Sequence, residues 1–179
     1  MPRIPYQPAD LAEPADLVAA IRARRGGRLL HLDRMLLHSP PLAAGWNGFL
    51  RALRGELALD PRLRELAICA VASLNGAEYE FHHHAPEFLR AGGTAAQLQA
   101  LRDPQRALRQ PALFDATALA ALRLTCEMTR DVAAAPATFA AVDAALGDRG
   151  TVELVAVIAA YNMVSRFLVA LDIEPEDED

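Results

Sequence analysis

Apolar residues recur along this chain with the period of an α-helix, and no stretch alternates as a strand would. Leu17, Val18 and Ile21 give an apolar stripe to a helix over 12–25, which Gly26-Gly27 ends. Residues 29–37 read as a short helical piece stopping at Ser39-Pro40-Pro41. Trp46, Phe49, Leu50 and Leu53 have i, i+3, i+4, i+7 spacing and mark a core or subunit face of a helix over 41–53. Asp60 and Pro61 suit the cap and first position of the next helix. From Leu66 to Ala72 that helix is apolar all round, so it must be buried on every side. Asn75-Gly76 ends it, and Asn75 with Glu78 predicts a capping box for a helix whose stripe is Phe81, Ala85 and Phe88. Thr94 and Gln97 predict a second capping box, for a helix to about Leu101. Residues 103–114, with Pro104 and Pro111, read as a loop or turn. Asp115 caps a long helix to about Val132. An Ala-rich helix over 133–146 closes at Gly147 and Gly150, and a last helix over 151–171 has no polar face between Leu154 and Tyr161. Such a helix needs cover on all sides, which fits a core wall that is also part of a subunit interface. The pattern predicts an all-α, multi-helix bundle. An extended Pro-rich arm covers 1–10, a single domain 11–171, and an acidic tail 172–179.

Composition narrows the classes. The 179 residues are 53% hydrophobic and 23% charged, enough for one domain with a real core. The net charge of −5 argues against a nucleic-acid binder, which needs a basic face. Every basic side chain except histidine is arginine, so a Schiff-base lysine is excluded. Two cysteines without motif spacing suit a reducing, cytoplasmic compartment. Residues 1–10 lack the pattern of a signal peptide, and no uninterrupted apolar run approaches a membrane span, so neither a membrane nor a nucleic acid is an expected partner. Arg22, Arg24, Arg25 and Arg28 read as a solvated helix end, and the lone His31 and His38 as structural residues.

The candidate chemistry lies between Asp60 and Gly93. Glu65 sits one turn into the buried helix, either as a first-turn acid favoured by the helix dipole or as a functional carboxylate. Glu80 and His84 are four apart on the next helix and share a face. A carboxylate beside an imidazole tunes and orients the ring and can move protons near neutral pH; the alternative is an ion pair of small energy. His82, His83 and His84 cannot all face one site, because neighbours on a helix are about 100° apart. His83 and Glu87 are also four apart, but there is no HExxH and no Cys/His set at ligand spacing, so no metal or other cofactor is expected. Asn162 and Arg166 share a face of the last helix. A buried Arg166 would need a carboxylate such as Glu65 or Glu153, or would clamp one on a substrate.

Arg64-Glu65-Leu66-Ala67-Ile68, then Asn75-Gly76-Ala77-Glu78-Tyr79-Glu80-Phe81, then His84, Ala91 and Gly92 resemble the core of the carboxymuconolactone decarboxylase family, which includes the alkylhydroperoxidase D (AhpD) enzymes. Residues 161–168 resemble longer members. The likeness runs from about Pro41 to Leu171, with the family core over about 41–125. It implies an AhpD-like helical fold and a homo-oligomer, a trimer or hexamer, with a dimer as the alternative. It also implies a Glu on one helix, a C-x-x-C or single Cys opening the next, and a His one turn further. Here Ala77 and Glu80 stand where peroxidase members carry cysteines, so no resolving thiol pair can operate there. Cys69, one turn after Glu65 in the buried helix, is the remaining thiol candidate. The decarboxylase branch works without the cysteine pair, by proton transfer on a lactone acid.

Three readings follow. The first is an acid–base enzyme, lyase-like, acting on a small organic acid or lactone. Glu65, Glu80 and His84 would be catalytic, and Tyr79, His83 and Arg166 would contact substrate. The second is an AhpD-like peroxidase using Cys69. The third is a binding or scaffold protein that keeps the fold without the reaction. The first requires Glu65 and His84 to approach within the reach of a bridging water.

Overall fold

The computed structural model describes residues 1–176, and among them every regular element is a helix, with no strand. The helices are α1 (Ala15–Arg24), α2 (His31–Leu36), α3 (Pro40–Gly55), α4 (Pro61–Asn75), α5 (Glu78–Arg90), α6 (Ala95–Ala100), α7 (Pro104–Ala107), α8 (Ala116–Asp131) and α9 (Pro136–Leu171). They fall into two compact units. One comprises residues 1–57 with the segment from Ala170; the other comprises residues 58–169.

In the first unit the arm and the tail meet at α2. The Met1 amine lies 2.7 Å from Glu174 Oε1, and Arg3 N donates to Leu171 O at 3.0 Å. The Tyr6 ring stacks on His31 at 4.3 Å, and His31 N donates to Glu176 Oε1 at 2.6 Å. Glu174 and Glu176 of the expected acidic tail are therefore engaged; its last three positions, 177–179, lie outside the described residues. His31 Nδ1 sits 2.9 Å from Glu174 O and His38 Nε2 2.8 Å from Pro5 O, so both histidines hold backbone. Of the arginines at the end of α1, Arg28 is exposed as expected, but two do more than solvate the helix end. Arg24 and Arg25 reach buried Asp33 at 3.4 and 3.2 Å, and Asp33 also accepts from Leu30 N at the start of α2. A buried carboxylate needs such donors, and Asp33 gave no periodic sign of being one.

In the second unit α4 packs chiefly on α5 and α8. Ala67, Ile68, Cys69, Ala70 and Val71 have no solvent exposure, as its all-apolar surface requires. Asp60 accepts from Arg62 N at 2.7 Å ahead of Pro61, and Gly76 closes the helix with φ 66°. The capping box from Asn75 to Glu78 does not form. Asn75 is the last residue of α4, α5 starts from Ala77 with no side-chain cap, and Glu78 pairs with Arg102 at 2.8 Å. Thr94 and Gln97 do form theirs, Asp115 caps α8 through Ala118 N, and the segment read as a loop contains α7, capped by Asp103.

The last two helices of the sequence pattern run on as α9, interrupted at Gly147 with φ 67° and ψ 175°. Mean hydropathy over its most apolar 18 residues is 1.9, so by length and composition this helix could cross a membrane, which interrupted runs in the sequence had not suggested; 44% of that window is buried. Asn162 and Ser165 turn inward and are bonded, as in a core helix. Asn162 donates to Thr129 Oγ1 and Ile158 O, each at 3.0 Å, and accepts from Asn75 Nδ2 at 3.1 Å and Arg166 Nη1 at 2.7 Å.

Candidate functional site

The polar centre of the second unit is assembled by α4, α5 and α9. Glu65 is carried into the interior because α4 has no wet face after its first turn; it is 3% exposed. His84 lies two turns into α5 and is 8% exposed. His84 Nδ1 is 2.6 Å from Glu65 Oε2, and Arg64 Nε donates to Glu65 Oε1 at 3.0 Å. The expected water-bridging approach is closer still, a direct hydrogen bond with no room for water between the two groups. Burial pushes the Glu65 carboxyl up, but the His84 ring and the Arg64 guanidinium more than offset this, and it sits below its ordinary range. Glu65 is thus an ionised acceptor, which places the Nδ1 proton of His84 on the Glu65 side and presents Nε2 in the opposite direction.

Glu80 is one turn before His84 and 2% exposed. Its two oxygens lie 3.1 and 3.3 Å from Ser165 Oγ on α9. Tyr161, one turn earlier on α9, sets its ring edge-on to the His84 ring at 5.0 Å. Tyr79 is buried with its ring tilted against half-buried His83 at 4.4 Å. The structure therefore gathers Glu65, Glu80 and His84 into one buried polar cluster, with Tyr79 and His83 against each other beside it on α5.

Arg166 departs from its expected place. It is exposed, and its Nη1 donates to the Asn162 carbonyl and side-chain oxygens at 2.9 and 2.7 Å. Neither expected carboxylate partner is involved. Glu65 is held by Arg64 and His84, and Glu153 by Arg149 and Leu59 N. The outward turn at position 166 lets the guanidinium stay hydrated, which costs far less than burying it.

Ser165 and Tyr161 are the contributors that sequence reasoning missed, whereas Arg64 was an expected neighbour of Glu65 and pairs with it. Ser165 is one turn after Tyr161 on the same face of a largely apolar helix, a faint signal that a hydroxyl there has a buried partner. Cys69 is fully buried, and burial, reinforced by the charges of Glu65 and Glu80, pushes its thiol far above the ordinary thiol range. Cys126 is pushed up to about 11, again mainly by burial. Neither thiol ionises readily, so neither has the reactivity of a peroxidatic cysteine. Glu87, the possible partner of His83 at a metal, pairs with Arg90 at 2.7 Å, and no group of three or more His, Cys, Asp or Glu among the described residues could hold a metal ion.

Residues 40–127 match the model of the carboxymuconolactone decarboxylase family. No curated protein matches the sequence. Among solved structures, the chain is similar to an uncharacterized peroxidase-related protein from Silicibacter sp. TM1040, with 21% identity, a TM-score of 0.79, and coverage of 97% of this chain and 94% of that one. It is also similar to an AhpD-core, uncharacterized peroxidase-related protein from Ralstonia eutropha JMP134, with 17% identity, a TM-score of 0.81, and coverage of 98% and 93%. A cysteine-to-alanine variant of the debrominase Bmp8, in complex with 2,3,4-tribromopyrrole, gives 16% identity, a TM-score of 0.82, and coverage of 99% and 95%. At these identities the likeness establishes a shared AhpD-like fold. Over residues 40–127 the chain matches the carboxymuconolactone decarboxylase family, in a form that lacks the C-x-x-C pair.

Proposed function

We propose that this protein is an acid–base enzyme that moves a proton on a small organic acid or lactone. The observation that carries this reading is the buried 2.6 Å bond between His84 Nδ1 and Glu65 Oε2. An ionised carboxylate on Nδ1 fixes the tautomer and makes Nε2 the basic nitrogen, the same division of labour seen wherever a carboxylate orients a catalytic imidazole. In this reading His84 Nε2 takes a proton from carbon next to a carbonyl, or from an attacking water. Glu80, one turn away, returns a proton to the product or to the leaving oxygen. Glu65 stays charged throughout and stabilises the imidazolium that forms. Tyr79 and His83 supply an aromatic edge for the substrate. Loss of carbon dioxide from a lactone acid, the chemistry in the family's description, needs a proton delivered to carbon as the carboxylate departs, and this set can deliver it.

Peroxide reduction by thiol chemistry has less support here, because it needs a thiolate and both thiols are buried with raised pKa values. The test is to incubate the protein with a panel of unsaturated lactone acids in D2O and follow deuterium entry and carbon dioxide loss by NMR. The expected result is exchange or decarboxylation that is lost in His84→Ala. Turnover that is unchanged in His84→Ala would overturn the reading.

A further inference from the structure

Ser165 Oγ has three oxygens within hydrogen-bonding reach and a single hydrogen to give. The Tyr161 carbonyl is at 2.7 Å, and Glu80 Oε1 and Oε2 are at 3.1 and 3.3 Å. Ser165 has no solvent exposure and Glu80 is 2% exposed, so bulk water does not complete the arrangement. With Glu80 ionised, the hydroxyl hydrogen belongs on the carboxylate, since a charge-assisted bond is the stronger one. With Glu80 protonated, the acid hydrogen can point at the serine oxygen while the serine hydrogen swings to the Tyr161 carbonyl. This forms a continuous donor chain from Glu80 through Ser165 to the backbone.

We infer that Ser165 is a positioning residue whose hydroxyl reverses direction as Glu80 gains and loses a proton, so that the buried carboxyl is bonded in both states and can serve as the site's proton reservoir. Ser165 thus offers Glu80 a hydrogen-bond partner in either protonation state. The reversal lets Glu80 accept a proton and release it without moving its oxygens. The charged and titratable groups of this cluster are Cys69 and Glu65 from α4, the latter paired with Arg64, His84 from its own helix, Tyr161 from α9, and Arg102 beyond α6, whose charge acts on Cys69 together with that of Glu80. The destination of the proton rests on the acid–base reading above; the reversal itself does not.

The experiment is infrared difference spectroscopy of the full chain across pH, with Glu80→Gln used to identify the Glu80 carboxyl band. In Ser165→Ala the ionised state loses a charge-assisted donor, so the protonated band should persist to higher pH by about one unit, roughly a tenfold fall in the proton dissociation constant. Ser165→Thr keeps the hydroxyl and should restore the original titration. Ser165→Cys, similar in size but a weak donor, should shift it as Ala does and serves if Ser165→Ala fails to fold. A Glu80 band that titrates at the same pH in the Ala or Cys variant as in the unmodified chain overturns the inference. The readout needs no substrate, so a failed search for turnover bears only on the acid–base reading.

Discussion

Glu65 Oε2 lies 2.6 Å from His84 Nδ1, joining two helices across the tight Asn75-Gly76 turn. The contact is buried, short and between a carboxylate and a ring N–H, so it both ties α4 to α5 and dictates which nitrogen of the ring carries the proton. Removing the imidazole should abolish its chemistry. His84→Ala is expected to lower kcat by roughly a hundredfold to ten-thousandfold, the usual worth of a positioned acid–base group. Steady-state kinetics on whichever lactone acid is turned over will check this.

The same bond makes stability depend on acidity. The folded-state pKa of Glu65 is held below its ordinary value of 4.5, so its ionised form contributes stability that is fully present above that value. This contribution is lost as pH falls through the folded-state value, because the folded protein then has to take up a proton that the unfolded chain already holds. Denaturation midpoints measured from pH 6 down to about 2 should fall for the unmodified chain. In Glu65→Gln that part of the fall should disappear, with the midpoint already lowered at pH 6. Equal slopes in the two proteins would contradict the assignment.

Both thiols should be silent in the folded chain. Cys69 and Cys126 are buried with raised pKa values, so iodoacetamide at pH 8 is expected to leave both unlabelled under native conditions and to label both after unfolding. Mass spectrometry of the two samples distinguishes the outcomes. For the same reason Cys69→Ser should not alter any peroxide turnover that the protein shows.

The break in α9 is a backbone requirement. Gly147 has φ 67° and ψ 175°, a region essentially closed to residues with a Cβ, while nothing lies within 4 Å of where that Cβ would stand. Gly147→Ala should therefore destabilise by about 1–3 kcal/mol through strain alone. Urea denaturation should show a lower midpoint with an unchanged slope.

Three helix starts closed by a local side chain were legible in the sequence, while the same device at Asp103 was read as part of a loop or turn. Asp60, Thr94 and Asp115 each cap the helix that their spacing announced. Asn75 misled because an amide at the end of α4 has a competing offer. It bonds Asn162, 87 positions away, and α5 starts from Ala77 instead. The site residues were legible as types and only partly as partners. Spacing within one helix suggests Glu80 for His84, but Nδ1 goes to Glu65 because the approach of α4 to α5 is set by packing of the apolar run 66–72, which no periodicity reports. Arg166 was correctly placed on the face of Asn162, but periodicity did not show that this part of the face is wet.

Asn162 uses both hydrogens and both lone pairs of its amide, on Thr129, Ile158 O, Asn75 and Arg166. An amide so fully committed acts as a vernier for α9. A slip of one residue would displace the helix by about 1.5 Å and rotate it by about 100°, and would break the links to α4 and α8 together. Ser165 is only three positions along, so the same slip would swing its hydroxyl away from Glu80. Asn162→Asp keeps the shape but turns two donors into acceptors, so the alignment of a proton-handling group is exposed to an exchange of one nitrogen for one oxygen some distance from it.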